Sequence, residues 1–338
     1  MTGEERVATA ILLALWRAGG RVVSLEAMER ETRSGMPALM GALELLARRG
    51  CLVERSPAGA ELISVGFACW REVLEEESRR AGARIGRRVE TLVQTASTND
   101  IAWQAAAEEG NDGLVVLADE QTAGRGRRGH SWHARAGQSV LLSILLAGIE
   151  AEALDRLTLL AGLAAAEGIE QAAAESVREG NGVRVEIRWP NDLQVGERKL
   201  GGILVEGRRA GSGRAAVVGI GINVAQGPGD YGPEVGGVAG RAVSVFQAAG
   251  VLVDRVRVAA RVLGALDRRL KDAMHGDGWI DGWKARCGLL GKRIAARDGE
   301  RRVDGTVVDI DPLQGLIVRD DGGGTQFLSA RTSTLSRG

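Results

Sequence analysis

At 338 residues the chain is longer than one ordinary domain, and 44% hydrophobic against 26% charged residues marks a globular protein able to bury a core. Its 44 Lys and Arg balance 44 Asp and Glu, so no field of one sign draws the whole chain to nucleic acid or to a membrane surface. Apolar runs fall short of a membrane span, and the opening MTGEERVATAILLALWRAGG puts acidic residues before its apolar stretch, unlike a secretory leader.

In chain order, residues 5 to 66 read as three helices and a hairpin. Val7, Ile11, Leu12 and Leu15 recur at helical spacing until Gly19-Gly20, Ser24 caps a second helix, and Leu39, Leu43 and Leu46 stripe a third over 36–49. Residues 51–54 and 61–63 flank a turn at Ser56 to Gly59, giving the order of a winged helix-turn-helix. Shape alone does not make a DNA binder. The third helix starts Met36-Pro37-Ala38 with no base-reading side chain, and residues 1–66 hold eight basic against eight acidic side chains, so the electrostatic footprint is missing. The expectation is a degenerate winged helix in which operator binding is doubtful.

The polar stretch 67–86 reads as a linker or solvated helix. Beyond it lies an α+β unit over 87–285: a strand at 89–93, a helix capped by Ser97 and ending near Glu109, a strand at 113–119, a glycine- and arginine-rich loop at 120–138, and a strand at 139–146. A long alanine-rich helix over 154–176 follows. Strands at 183–188, 193–195, 199–206 and 215–224 are joined by turns short enough for an antiparallel meander. A loop over 226–240 precedes an amphipathic helix at 255–274. Residues 286–338, with short strands at 293–296, 302–309, 315–319 and 325–329, suggest a separate small β-barrel.

Cys51, Cys69 and Cys287 are odd in number and scattered, which fits reduced thiols and a cytoplasmic protein, and the three histidines offer no metal set. Four segments carry chemistry instead. The loop Gly124-Arg125-Gly126-Arg127-Arg128-Gly129 combines backbone access with guanidinium charge and suits phosphate or carboxylate. Trp189-Pro190-Asn191-Asp192 can orient phosphates and offer oxygen to Mg²⁺, while Lys199 opens the returning strand of the same hairpin. With only four lysines in the chain, a lysine there suggests that a compact ammonium is required. Gly219-Ile220-Gly221-Ile222-Asn223 marks close approach by a ligand or by backbone. Ser97-Thr98-Asn99-Asp100 opens a helix whose free N–H groups suit a carbonyl, ureido or anionic group.

These segments, in this order and with Lys199 to Glu206 reading KLGGILVE, resemble the biotin–protein ligase family. The resemblance implies a class II synthetase-like catalytic domain, a mixed sheet with helices, between an N-terminal winged helix and a C-terminal SH3-like barrel, as in biotin operon repressors. It implies an enzyme that forms biotinyl-AMP from biotin and ATP and passes biotin to a lysine of a biotin carboxyl carrier protein. Carried over by position, Ser97, Thr98, Asn99, Gln121, Arg125, Gly126, Arg127, Lys199 and Gly202 surround biotin. Arg127, Arg128, Trp132, Asn191, Asp192 and Asn223 line the ATP side, with Mg²⁺ near Asn191, Asp192 and Asn223. Lys199, Arg125 and Arg127 are the expected catalytic cations, and a homodimer is compatible with the resemblance. A lipoate or octanoyl ligase and a biotin-sensing regulator without ligase activity are the alternatives weighed. The first would carry an Arg-Arg-x-Ser-Gly-Gly-Gly loop or a motif cysteine, neither of which is present.

Overall fold

Capping decides where the first helices begin. Thr2 and Glu5 exchange side-chain and backbone hydrogen bonds to start α1 (Gly3–Ala18), and Gly19 at φ 63° stops it. Ser24 caps α2 (Leu25–Thr32), and Pro37 lies in the first turn of α3 (Met36–Arg48). The antiparallel hairpin β1 (Leu52–Ser56) and β2 (Gly59–Ser64) completes the expected order. This computed structural model describes residues 2–108, 110–176, 182–210, 213–231, 241–311, 313–329 and 333–335.

The stretch expected as a linker or solvated helix is instead largely packed. Helix α4 (Trp70–Arg80) buries Trp70, Val73 and Leu74; its i, i+3, i+4 apolar stripe is hidden in sequence among charged neighbours.

The α+β unit then runs β3 (Val89–Thr95), α5 (Thr98–Ala105), β4 (Val115–Gln121), β5 (Ser139–Ala147), α6 (Leu154–Ser176), β6 (Glu186–Arg188), β7 (Asp192–Val195), β8 (Arg198–Ala210) and β9 (Gly213–Asn223). One seven-stranded mixed sheet orders these β3-β4-β5-β9-β8-β7-β6, with β3 and β4 parallel and the other pairs antiparallel. Helix α5 ends at Ala105, short of Glu109, because Asn111 Nδ2 donates to the Ala105 carbonyl. The expected strand from 183 begins only at Glu186, since the Val185 N–H goes to Glu170.

Three short elements were not anticipated: α7 (Val245–Ala249), α9 (Trp279–Lys284) after the expected α8 (Arg255–Met274), and a final strand. The chain closes on β10 (Arg293–Asp298), β11 (Arg301–Asp311), β12 (Gly315–Arg319), β13 (Thr325–Ser329) and β14 (Ser333–Leu335), an antiparallel sheet ordered β13-β12-β11-β10-β14. Of the loop expected over 226–240, residues 232–240 lie outside the described residues.

Alternation along the strands gives the sheet two faces. Val218, Ile220 and Ile222 of β9 join the main core with α6 and α8, whereas Ala215 and Val217 join a smaller cluster under Ala102 of α5. The same main core continues into α1, α3 and α4. Helix α8 is the common member: the half-buried carboxylate of Asp254 caps it and accepts the Val65 N–H at 2.9 Å, Arg257 lies over the Trp16 ring, and Arg261 pairs with Glu77.

At Gly168 the α6 and α8 backbones touch: a Cβ there would lie 2.5 Å from the Val262 nitrogen. Replacing a helical glycine by alanine ordinarily gains about 1 kcal/mol, but here the helices would have to part. Gly168→Ala is therefore expected to destabilise the fold by roughly 2 kcal/mol, seen as a lower denaturant midpoint.

Candidate active site

Two rows of residues on the α5 face of the sheet form the floor of the site. Register pairs Asp192 with Gly202 and Gly202 with Gly221 in one row; Leu204, Gly219 and Ser143 form the next. Two residues along a strand separate the rows by about 7 Å. Both floor glycines are needed for close packing. A Cβ on Gly219 would stand 2.5 Å from Asn99 Oδ1, and one on Gly221 would stand 2.7 Å from the Trp132 ring.

Over the Gly219 row sits the start of α5, with Ser97, Thr98 and Asn99 all buried. Gln121 Oε1 accepts from the Thr98 N–H at 2.8 Å and lies 3.1 Å from its hydroxyl. Ser143 Oγ lies 2.7 Å from Thr98 Oγ1 and 2.6 Å from Asn99 Oδ1, while Asn99 Nδ2 donates to Glu206 at 3.0 Å. A serine hydroxyl carries one proton. The consistent chain therefore runs from the Thr98 hydroxyl to Ser143, from Ser143 to Asn99, and from Asn99 to Glu206, whose Oε2 also accepts from Trp103 Nε1 at 3.1 Å.

Over the Gly221 row sits the nucleotide-side group of the sequence reading. Lys199 Nζ donates to Asp192 Oδ1 at 2.7 Å and lies 5.7 Å from the centre of the Trp132 ring, and a Cβ on Gly202 would meet it at 3.6 Å. Arg127 Nη1 reaches across to Asn191 Oδ1 at 3.2 Å, and Asn191 ties its own turn to Ile203 through two hydrogen bonds.

The glycine loop is itself a small hairpin. Arg125 bridges Ser131, Gly126 N–H donates to His130 O, and Trp132 N–H donates to Gly124 O. Beside it opens a cleft of about 750 Å³, lined by Gly124, Arg125, Arg127, the start of α6, Leu204 and Glu206. Neither Lys199 nor Trp132 lines that cleft; they occupy the adjoining row.

Two expected site residues take unexpected partners. Arg125 forks onto both oxygens of Asp100 at 2.8 and 2.7 Å. The hydrogen-bonded guanidinium holds the Asp100 carboxyl below the usual carboxylate range, with burial opposing it. Asn223 is buried, donates to the Val243 carbonyl and accepts from Gln226, each at 3.3 Å. It thus helps fix the chain entering α7. The Arg128 side chain lies outside the described atoms. Asp100, Ser143 and Glu206 had no assigned role in the sequence; the only signal for Ser143 was one hydroxyl in the apolar run VLLSILL.

Residues 92–223, from β3 to the end of β9, match the biotin/lipoate A/B protein ligase family. The Bacillus subtilis bifunctional ligase/repressor BirA is 34% identical over 239 residues, 70% of this chain and 70% of its own. The chain belongs to the biotin/lipoate A/B protein ligase family. Another relative within it, the Mycobacterium tuberculosis biotin--[acetyl-CoA-carboxylase] ligase, is 33% identical across 77% of this chain and 95% of its own. Among solved structures, biotin protein ligase from Aquifex aeolicus in complex with biotin and ATP aligns with a TM-score of 0.62 at 26% identity, covering 75% of this chain and 100% of that one.

Proposed function

We propose that this chain is an ATP-dependent biotin–protein ligase that forms biotinyl-AMP and transfers the biotinyl group to a lysine of a carrier domain. The observation that carries the reading is the one-row spacing between the polar start of α5 and the Lys199 ammonium, on a floor kept flat by glycine. The relative named as a biotin--[acetyl-CoA-carboxylase] ligase and the similar structure solved with biotin and ATP support it over lipoate chemistry.

The first step brings two anions together. A biotin carboxylate oxygen attacks the α-phosphorus of ATP, the P–O bond to the leaving pyrophosphate breaks, and cations must cancel the repulsion beforehand. Lys199 and Arg127 lie where they can do so, and Thr98, Asn99 and Gln121 form a pre-set polar end for the ring system of biotin. Among the described residues no set of three or more His, Cys, Asp or Glu could cage a metal. Mg²⁺ typically keeps several waters and uses one or two carboxylates plus nucleotide phosphates, a demand that the Asp192 carboxylate suits; both ends of the Asn191 and Asn223 amides are engaged within the protein. When bound, Mg²⁺ would supply positive charge to the phosphates. In the second step the carrier lysine attacks the acyl carbon and AMP leaves, so no protein nucleophile is needed. Burial lifts the Cys287 thiol to about 11, in keeping with a structural role.

We further propose that residues 286–338 are an SH3-like domain and that residues 1–66 are a winged helix without strong operator affinity. The exposed start of α3 offers only Met36, Pro37 and Ala38. The ligase reading is tested by pyrophosphate release from ATP. Release is expected with biotin and at least a hundredfold less with lipoate, because the pre-set hydrogen-bonding end of the site would be left unmatched. Equal release with the two acids, or none with biotin, would refute it.

A further inference from the structure

We infer that Arg125 is a latch rather than a catalytic cation: with Asp100 as its catch, it fastens the glycine loop to the start of α5 and slows escape of the acyl-adenylate instead of speeding its formation.

The charge balance argues this first. Both terminal nitrogens of Arg125 are committed to Asp100, and Nη2 lies 3.8 Å from Glu206. Arg208 lies 3.7 Å from the other oxygen of Glu206, so two guanidiniums face two carboxylates and the group carries no surplus positive charge to offer a substrate carboxylate or phosphate. Bidentate arginine–carboxylate geometry instead gives a directional fastening.

Position argues it next. Arg125 stands at the base of the loop hairpin, where it bridges Ser131. Its catch is on a rigid element, because Asp100 lies in the first turn of α5, the helix that carries Thr98 and Asn99. Glu206 is fixed in turn by the Asn99 and Trp103 N–H donors. The pair therefore couples the flap to the helix start against which biotin is proposed to bind. Arg125 and Asp100 are 38% and 42% exposed, and an exposed pair of this kind is weak enough to open for substrate and close again.

The inference rests on the ligase reading for what the loop retains, but not for the fastening itself, so two readouts are used on the full chain. Hydrogen exchange of the Gly126 and Trp132 amides in the unliganded protein reports the fastening. Formation and escape of labelled biotinyl-AMP report its consequence. Asp100→Asn is expected to speed exchange and escape about fivefold while leaving the maximal rate of adenylate formation within about twofold. Added salt should speed exchange in the parent and not in Asp100→Asn. The charge-reversed double variant, Asp100→Arg with Arg125→Asp, should return exchange and escape to near parental values and form adenylate at a near-parental rate. Unchanged exchange in Asp100→Asn, or a double variant that exchanges as fast as Arg125→Asp alone or forms adenylate more than about tenfold slower than the parent, overturns the latch. A parent protein that makes no adenylate refutes the ligase reading, while the exchange experiment still decides the fastening.

Discussion

Lys199→Met is expected to lower the rate of biotinyl-AMP formation at least a hundredfold while leaving the thermal midpoint within about 2 °C of the parent. The ammonium is about one-third exposed and its ion pair among the described residues is with Asp192, so little folding energy depends on it. Methionine fills the same volume along the side chain, which keeps the Trp132 ring in place. In the proposed reaction what disappears is a compact charge for two anions that must meet, and arginine is expected to be a poor replacement because its planar fork does not act as a point charge. Single-turnover adenylation, followed by pyrophosphate release with a melting curve alongside, checks both halves. Activity within tenfold of the parent would displace Lys199 from the chemistry.

The second large effect comes from the floor. Gly219→Ala would drive a methyl group to 2.5 Å from Asn99 Oδ1, and Asn99 has no room to yield, being buried and held by both Ser143 and Glu206. Those two hydrogen bonds must break or β9 must move, at a cost of about 2–4 kcal/mol. Gly221→Ala would instead displace the Trp132 ring, a side chain whose indole nitrogen is buried without a partner and which is therefore freer to shift. The KM for biotin should rise about tenfold or more in Gly219→Ala with that for ATP less affected, and the reverse should hold for Gly221→Ala. Steady-state kinetics with each substrate varied gives the answer; identical profiles for the two variants would mean that the rows do not divide the substrates.

How much of this was legible in the sequence depends on whether a feature is local. The β7–β8 hairpin joins Lys199 to Asp192 across a separation of only seven positions, and the arginine bias of the chain made the lysine conspicuous. The alternate glycines of β9 announced close approach, and both of them do receive a side chain. Pairings between distant segments left no trace. Nothing near Arg125 in sequence points to Asp100, 25 residues earlier, and nothing near Asn99 points to Glu206, 107 residues later. Asn223 illustrates a different obstacle: an amide beside a glycine-rich strand suits a nucleotide as well as a turn, and only its contacts with Val243 and Gln226 reveal the structural use. Trp70, Val73 and Leu74 were outweighed by the charges around them, so a packed helix read as a tether.

Helix α8 is where the first 66 residues, with as many acidic as basic side chains, meet the rest of the chain. Cutting them away would uncover Trp70, strip Asp254 of the Val65 N–H and leave Arg257 with no indole beneath it. A module is irreplaceable, whatever its outward face does, when its inner side serves as wall material for the neighbouring unit.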